Sequence, residues 1–332
     1  MIRNIDTRSQ VQTDQDKAAL RSLFELRDVD KSKPVDLYFG PAAPAGAGNR
    51  WIETTPGRGW FSCIAAQPMP KNPTSALAAA LAVQLLATAP ALAQSSEDMN
   101  AANNPLTPTI GVNLQDQYVG RYYGLGDADG NTLLLRGTLP HKLFGMPQIL
   151  RLTMPVVTTP DAAPFSERFT GAGDLNLFDV FLFKAGGVEL GVGPQLTMPT
   201  ASRDQTGAGK WQGGVAAVAM APQKWGLAGG LLTWQKSFAG DDDRPQVDSA
   251  SLQPFFIYNL PQGWYFRSSA TWNFNLRSGD YSIPVGAGMG KVWKMGGTTY
   301  NLFAEPQWTV SHQGEGQPKF QVFMGLNLQF PL

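Results

Sequence analysis

The clearest pattern in the chain is an alternation of apolar and polar side chains between Ser251 and Leu276. It predicts two strands joined by a tight turn at 261–263. Successive side chains of a strand point to opposite sides, so one face of the second strand collects Trp264, Phe266, Ser268, Ala270, Trp272, Phe274 and Leu276. The other face collects Tyr265, Arg267, Ser269, Thr271, Asn273 and Asn275. An aromatic face suits lipid and a polar face suits a watery lumen, so the pattern predicts a transmembrane β-hairpin.

Similar alternation recurs along residues 109–332, where about twelve strands are predicted. An even number of strands, with long and short connections in turn, is typical of outer-membrane barrels. The polar faces supply the candidates for lumen-lining side chains, which are Gln195, Arg267, Asn273, Glu305 and Gln307. The apolar faces supply candidate aromatic anchors in lipid, which are Trp264, Trp272, Trp308 and Phe330. A soluble β-sandwich also explains the alternation, but its core would leave these polar side chains without partners.

Composition supports the barrel. Charged residues make up 16% of the 332 residues, against roughly 25% in soluble domains, while the mean hydropathy is only −0.17. Alternating strands combine few charges with an ordinary mean hydropathy, whereas a helical membrane protein is strongly apolar. The net charge of +0 gives no reason to expect nucleic acid as a partner. The single Cys63 excludes a disulfide within the chain.

Residues 69–93 form a different kind of segment. One lysine precedes an alanine-rich apolar run and the sequence Ala91-Leu92-Ala93, which is typical of a secretory signal peptide cleaved between Ala93 and Gln94. The alternative is a buried alanine-rich helix. Because a signal peptide belongs at the start of a protein, our hypothesis is that translation begins at Met69 and that residues 1–68 are a gene-boundary artefact or a fusion remnant. Residues 94–108 are polar and predict an unstructured leader.

The first sixty residues resemble part of a known domain. The phrases are TRSQVQTDQ from Thr7, VDLYFGPAAPAG from Val35 and NRWIETTPGRGWF from Asn49. Over about residues 4–61 they are similar to the C-terminal end of DUF1214 domains, which are β-rich and have no assigned activity. The larger part of that domain is missing from the sequence, so the resemblance implies a fragment and no function.

Residues 107–330 resemble a second family. The phrases are GAGDLNLFDVFLF from Gly171, GVGPQLTMPTASRDQTGAGKWQGGVAAVAM from Gly191, WQKSFAGDDDRPQVDSASLQPFFIYNLPQGWYFRSS from Trp234 and VGAGMGKVWKMG from Val285. They are similar to the MetA-pathway-of-phenol-degradation family, whose members are outer-membrane barrels often encoded near genes for aromatic catabolism. The resemblance implies a channel for small molecules, aromatic or otherwise hydrophobic.

Few residues indicate other chemistry. The run 127–131 (DADGN) begins like a calcium loop, but it lacks the closing glutamate of an EF-hand, and a hairpin turn explains it better. The acidic run 241–243 is better explained as a solvated loop than as a cation site. His141 and His312 have no neighbouring serine and acid in the sequence that would indicate a hydrolase triad.

The sequence therefore predicts an all-β chain, an antiparallel transmembrane barrel of about twelve strands in the bacterial outer membrane. A short N-terminal β-rich fragment and one signal-like helix precede the barrel. Its expected partners are outer-membrane lipid, the barrel assembly machinery and a small solute. The expected function is passive diffusion, with no enzymatic activity, cofactor or bound metal. The alternatives are a non-conducting structural or adhesion barrel and, less favoured by the residues, an enzyme fragment linked to DUF1214.

Overall fold

A computed structural model describes residues 2–4, 38–40, 51–53, 60–62, 95–162 and 167–331. The chain divides into two compact units, Met1–Pro73 and Thr74–Leu332. The described residues of the first unit form four short strands, β1 (Ile2–Asn4), β2 (Tyr38–Gly40), β3 (Trp51–Glu53) and β4 (Trp60–Ser62). β1 pairs antiparallel with β4, and β2 pairs parallel with β3. The signal-like segment and its predicted cleavage point between Ala93 and Gln94 lie outside the described residues.

The second unit is almost entirely β-structure. The first element in its described residues is a helix, α1 (Ser96–Asn103). The strands that follow are β5 (Ile110–Tyr122), β6 (Gly130–Leu143), β7 (Met146–Thr158), β8 (Thr170–Ala172), β9 (Leu175–Ala185), β10 (Val188–Met198), β11 (Lys210–Gln223), β12 (Gly226–Gly240), β13 (Asp248–Asn259), β14 (Trp264–Ser268), β15 (Trp272–Asn275), β16 (Tyr281–Gly286), β17 (Gly288–Met295), β18 (Thr298–Gln313) and β19 (Pro318–Phe330).

These strands form a closed barrel in which every neighbour is antiparallel. Three pairs of segments, β8 with β9, β14 with β15 and β16 with β17, each continue one another across a short break, so the fifteen strands make twelve passes. The last strand closes on the first, with twelve residue pairs between β19 and β5. The predicted barrel of about twelve antiparallel strands is therefore confirmed.

The two ends of the barrel differ in their connections. At one end the turns are short, as between β6 and β7, where Phe144 and Gly145 both have positive φ. The chain enters and leaves the barrel at this same end. The longer connections lie at the other end, for example 241–247 between β12 and β13. Because outer-membrane barrels have short periplasmic turns and longer external loops, we assign the first end to the periplasm.

Each strand separates an outer apolar face from an inner, mostly polar one. Large apolar side chains on the outer face are solvent-exposed around the whole wall, including Val112, Leu135, Leu152, Val192, Leu232, Phe256, Met289 and Trp308. The buried apolar side chains lie inside the barrel on the periplasmic half, and include Ile149, Val180, Val218, Leu227, Ile257 and Phe303. A surface with this much exposed apolar area is stable only in contact with lipid.

Besides the break between β8 and β9, the barrel wall is interrupted within the Ser251–Leu276 hairpin, which corrects the prediction of a continuous second strand there. Residues 269–271 separate β14 from β15, and Ala287 separates β16 from β17 on the neighbouring pass. Strand pairing between these two passes stops at Arg267 and resumes at Asn273. Pairing with β13 lapses over the same stretch. Side chains supply hydrogen bonds that the strand pairing lacks here, since Ser269 N donates to Glu305 Oε1.

The glycines at 286–290 make room for inward side chains beside this interruption. A Cβ on Gly286 would lie 2.2 Å from Glu305 Oε1, and one on Gly290 would lie 2.2 Å from Tyr265 Cζ. At both positions a larger residue would displace the neighbouring buried side chain. Tyr265 fills the space over Gly290, fully buried, and its hydroxyl hydrogen-bonds Asn301 Oδ1 at 2.5 Å.

Candidate functional site

The N-terminal leader occupies the periplasmic half of the lumen. The prediction that residues 94–108 are unstructured is wrong over 96–103, because these residues form α1, whose N-cap Ser95 accepts a hydrogen bond from Asp98 N. Met99 and Ala102 on α1, and Leu106 after it, are buried in the apolar cluster inside the barrel. The helix was not predicted because the leader is mostly polar, and only three small or apolar side chains are buried in the barrel.

Asparagine side chains fasten the leader to opposite walls. Asn100 Nδ2 donates to Gln223 O on β11, and Asn259 Nδ2 on β13 donates to Asn100 Oδ1. Across the barrel, Asn301 Nδ2 on β18 donates to Ala102 O. We call residues 95–109 the plug, because hydrogen bonds and apolar packing hold it against several walls at once.

Charged contacts add to this attachment. Asn104 Nδ2 donates to Glu189 Oε2 at 2.6 Å, and Lys294 Nζ lies 2.5 Å from Asp98 Oδ1. The hydrogen bond from Lys294, with a smaller contribution from Ser95, holds the pKa of Asp98 below its ordinary value. Lys294 is at the periplasmic end of β17, so this pair fixes the start of α1 to the rim.

Two of the predicted lumen residues form a buried ion pair. Arg267 Nε lies 2.8 Å from Glu305 Oε2, with side-chain exposures of 7% and 0%. Glu305 also accepts hydrogen bonds from Ser269 N at 2.8 Å and from Ser269 Oγ at 2.7 Å. Its carboxylate thereby satisfies a backbone donor at the interruption of the wall. Arg267 also stacks on the Phe303 ring, 3.6 Å from its centroid. The pair therefore belongs to the wall as much as to the lumen.

The other predicted lumen residues lie on the inner face in different places. Gln307 is buried beside the ion pair, where its Nε2 donates to Glu305 Oε1 and its Oε1 accepts from Gln321. Gln195 is buried on another part of the wall and donates to Gln235 Oε1 at 2.7 Å. Asn273 is exposed near the external end. The structure brings together Arg267, Glu305 and Gln307 and leaves the other two apart.

The four predicted aromatic anchors lie on the outer face. Trp308 is half exposed, and its ring centroid is 5.2 Å from that of Phe320. Trp272 Nε1 donates to Pro284 O across the wall interruption. Trp264 follows the periplasmic turn, with Lys291 Nζ 5.2 Å from its ring centroid. Phe330 is half-buried at the end of β19, where it pairs with the first residue of β5.

The described residues of the barrel form one cavity near its external end and another in its interior. The external one, which we call the vestibule, has a volume of about 550 Å³ and is lined by polar residues including Thr233, Gln235, Ser251 and Asn273. The internal one, the inner chamber, has a volume of about 110 Å³ and is bounded on one side by the plug. The rest of its lining is polar on β5, β6 and β7, whereas β13, β18 and β19 contribute the apolar side chains Phe255, Ile257, Phe303 and Phe323 among polar ones.

Sequence reasoning missed two arginines of the inner chamber. Arg136 on β6 and Arg151 on β7 both line it. Arg151 alternates with the apolar Leu150 and Leu152 in the sequence, and this period of two indicates that it lies on the inner face. Nothing in the sequence indicated that it would lack an acidic partner.

The histidines and acidic runs form no catalytic or metal site among the described residues. His141 Nε2 lies 3.0 Å from Asp179 Oδ1 on the outer face, and the His312 ring stacks on Tyr123. Within residues 95–162 and 167–331, neither imidazole has a serine hydroxyl as hydrogen-bond partner. The same part of the chain contains no group of three or more potential metal ligands.

Comparison with known proteins supports the fold. No family model matches the chain, and no curated protein matches it. The COG4313 outer membrane channel from Pseudomonas putida F1 superimposes with a TM-score of 0.50 at 14% identity, over 68% of this chain and 99% of that chain. The shared property is the fold.

Other outer-membrane barrels match less closely. The KdgM porin in complex with disordered oligogalacturonate has a TM-score of 0.38 at 9% identity, covering 67% of this chain and 99% of that chain. Outer membrane phospholipase A from Escherichia coli has a TM-score of 0.36 at 12% identity, covering 70% of this chain and 95% of that chain. These scores are too low to carry an inference about activity.

The closed barrel and its lipid-compatible outer face place the protein in the bacterial outer membrane. In the described part of the chain, no helix has the length and apolar character needed to cross a bilayer.

Proposed function

We propose that the protein is a passive channel for small molecules, aromatic or otherwise hydrophobic, across the outer membrane. The observation that carries the proposal is the inner chamber, whose lining combines polar side chains with Phe255, Phe303 and Phe323. A solute with an apolar ring and a polar group would satisfy both kinds of side chain, whereas a purely structural barrel needs no such cavity. The channel requires neither a cofactor nor energy coupling.

Passage to the periplasm requires displacement of the plug. The plug is held by hydrogen bonds and by a few buried side chains such as Met99 and Leu106. Net hydrogen bonds contribute about 0.5–1.5 kcal/mol each. Breaking a few of them at a time is compatible with fluctuations on the microsecond to millisecond scale.

Planar-bilayer recording tests the proposal. The double variant Asn100→Ala/Asn301→Ala removes attachments on opposite walls and is expected to raise the open probability or the conductance of the wild type. The matched control is Asn176→Ala, which removes an inner-face asparagine bonded to Thr197 on the wall and not to the plug. Uptake of phenol and benzyl alcohol by cells with and without the gene provides the second measurement.

Two results would contradict the proposal. Absence of current steps in the wild type and in the double variant indicates a non-conducting structural or adhesion barrel. Equal uptake of aromatic solutes with and without the gene removes the transport function.

A further inference from the structure

Two guanidinium groups lie side by side on the polar wall of the inner chamber. In the register of β6 and β7, Arg136 pairs with Thr153 and Thr138 pairs with Arg151. The arginines are therefore diagonal neighbours on the inner face, at a spacing that long side chains bridge easily. Both line the chamber.

Neither arginine has an anionic partner in the described part of the chain. Arg136 Nη1 donates to Gln115 Oε1 at 2.5 Å, a neutral acceptor. Arg151 stacks its guanidinium on Phe178, 4.1 Å from the ring centroid, and donates no hydrogen bond to residues 95–162 or 167–331. The Nε atoms of both side chains are buried without an acceptor in the same residues.

A third arginine of the same chamber shows the usual arrangement. Arg267 is paired with Glu305 and also donates to Ser269 Oγ at 2.5 Å. Buried charges are normally paired because desolvation of an isolated ion is costly. The absence of such a pair for Arg136 and Arg151 points to a ligand that supplies the negative charge.

The chamber also limits the chemistry of that ligand. A planar guanidinium binds a carboxylate through two parallel hydrogen bonds, and two adjacent guanidinium groups favour an anion over a neutral molecule. The lining of the chamber also includes Phe303 and Phe323 on β18 and β19, and Phe255 and Ile257 on β13, which would contact an apolar group. The volume of about 110 Å³ admits a small organic group and no large one.

We propose that Arg136 and Arg151 bind the carboxylate of a small amphipathic acid, whose apolar part contacts Phe303 and Phe323 in the inner chamber. This inference rests on the proposed function, since it names the class of solute that the channel selects. It separates these two arginines from Arg267, which contributes to the wall.

Benzoate is the probe, and benzyl alcohol is its neutral counterpart of similar shape. Benzoate is expected to reduce the ionic current through single channels in a saturable manner, with much weaker reduction by benzyl alcohol. Hydrogen bonds to charged groups contribute about 1.5–3 kcal/mol, so Arg151→Gln is expected to weaken the benzoate effect about tenfold or more. Arg151→Lys keeps the charge without the paired donors. Its sensitivity to benzoate is expected to lie between that of the wild type and that of Arg151→Gln.

Arg277→Gln is the control, because it makes the same chemical change at an exposed position on an external loop. The effect of inorganic phosphate on the single-channel current is measured as well. A phosphate effect as strong as that of benzoate, and equally sensitive to Arg151→Gln, would replace the carboxylate assignment with a general anion site and overturn the proposal.

Folding of each variant is verified by its gel mobility without heating and by urea unfolding. Removing an unpaired buried charge is expected to leave the barrel at least as stable as the wild type. If Arg151→Gln conducts normally and keeps the full benzoate effect, the anion site is excluded while the channel function stands. If no variant conducts and benzoate has no effect on any of them, the channel function itself fails.

Discussion

Replacement of Glu305 by alanine tests whether this side chain stabilises the barrel wall at the interruption between β14 and β15. Glu305 is completely buried and accepts hydrogen bonds from Arg267, Gln307 and both the backbone and hydroxyl of Ser269. Removing one member of a buried ion pair costs about 3–5 kcal/mol, because the remaining charge is left without compensation. We expect Glu305→Ala to lower the free energy of unfolding by an amount in this range.

The double variant Arg267→Met/Glu305→Leu separates the two roles of the carboxylate. It removes both charges, so the cost of an uncompensated ion disappears. The Ser269 N–H still lacks its acceptor, and an unsatisfied buried donor costs about 1–3 kcal/mol. The double variant should therefore recover part of the lost stability but remain below the wild type.

The measurement is reversible urea unfolding in lipid vesicles, followed by tryptophan fluorescence. Glu315→Ala, at an exposed position in the β18–β19 loop, is the matched control and should change the stability by less than about 0.5 kcal/mol. The reasoning is refuted if Glu305→Ala costs less than about 1 kcal/mol. It is equally refuted if the double variant is no more stable than Glu305→Ala.

Two further predictions concern packing and pH. Gly290→Ala places a methyl group 2.2 Å from the buried Tyr265 ring, so it should destabilise the barrel by about 1–3 kcal/mol in the same urea assay; an unchanged unfolding midpoint would show that the ring can shift. Because the pKa of Asp98 is lowered from 3.8 by Lys294, its stabilisation of the docked plug is present above that ordinary value and is lost as the pH falls through the folded-state pKa. Channel opening should increase on acidification from pH 5 to about pH 2–3, more in the wild type than in Asp98→Asn, and equal responses would contradict the role of this pair.

The sequence was sufficient for the architecture and for the orientation of most side chains. Alternation with a period of two residues places Arg267 and Glu305 inside and Trp264 and Trp308 outside, because each strand must present one face to lipid. The same local pattern also accounts for the number of passes, since turns and glycines separate the strands clearly.

The pairing of side chains across the barrel was not predictable in this way. The contact between Arg267 and Glu305 depends on the register of strands far apart in sequence and on the break at residues 269–271. Burial of the plug depends on the shape of a cavity that exists only after twelve passes close. The sequence around Arg136 and Arg151 shows two inner-face charges, but their lack of an acidic partner is a property of the assembled lumen.

The double attachment of the plug has a consequence for the order of assembly. Its hydrogen bonds reach β11 and β13 on one wall and β18 on the other. The ring of strands that carries these groups is complete only when β19 has paired with β5. A barrel in which β19 and β5 are unpaired therefore has no complete binding site for α1. Docking of α1 is expected to follow closure of the barrel. The rate at which residues 95–109 become resistant to protease would measure the rate of this last folding step in the membrane.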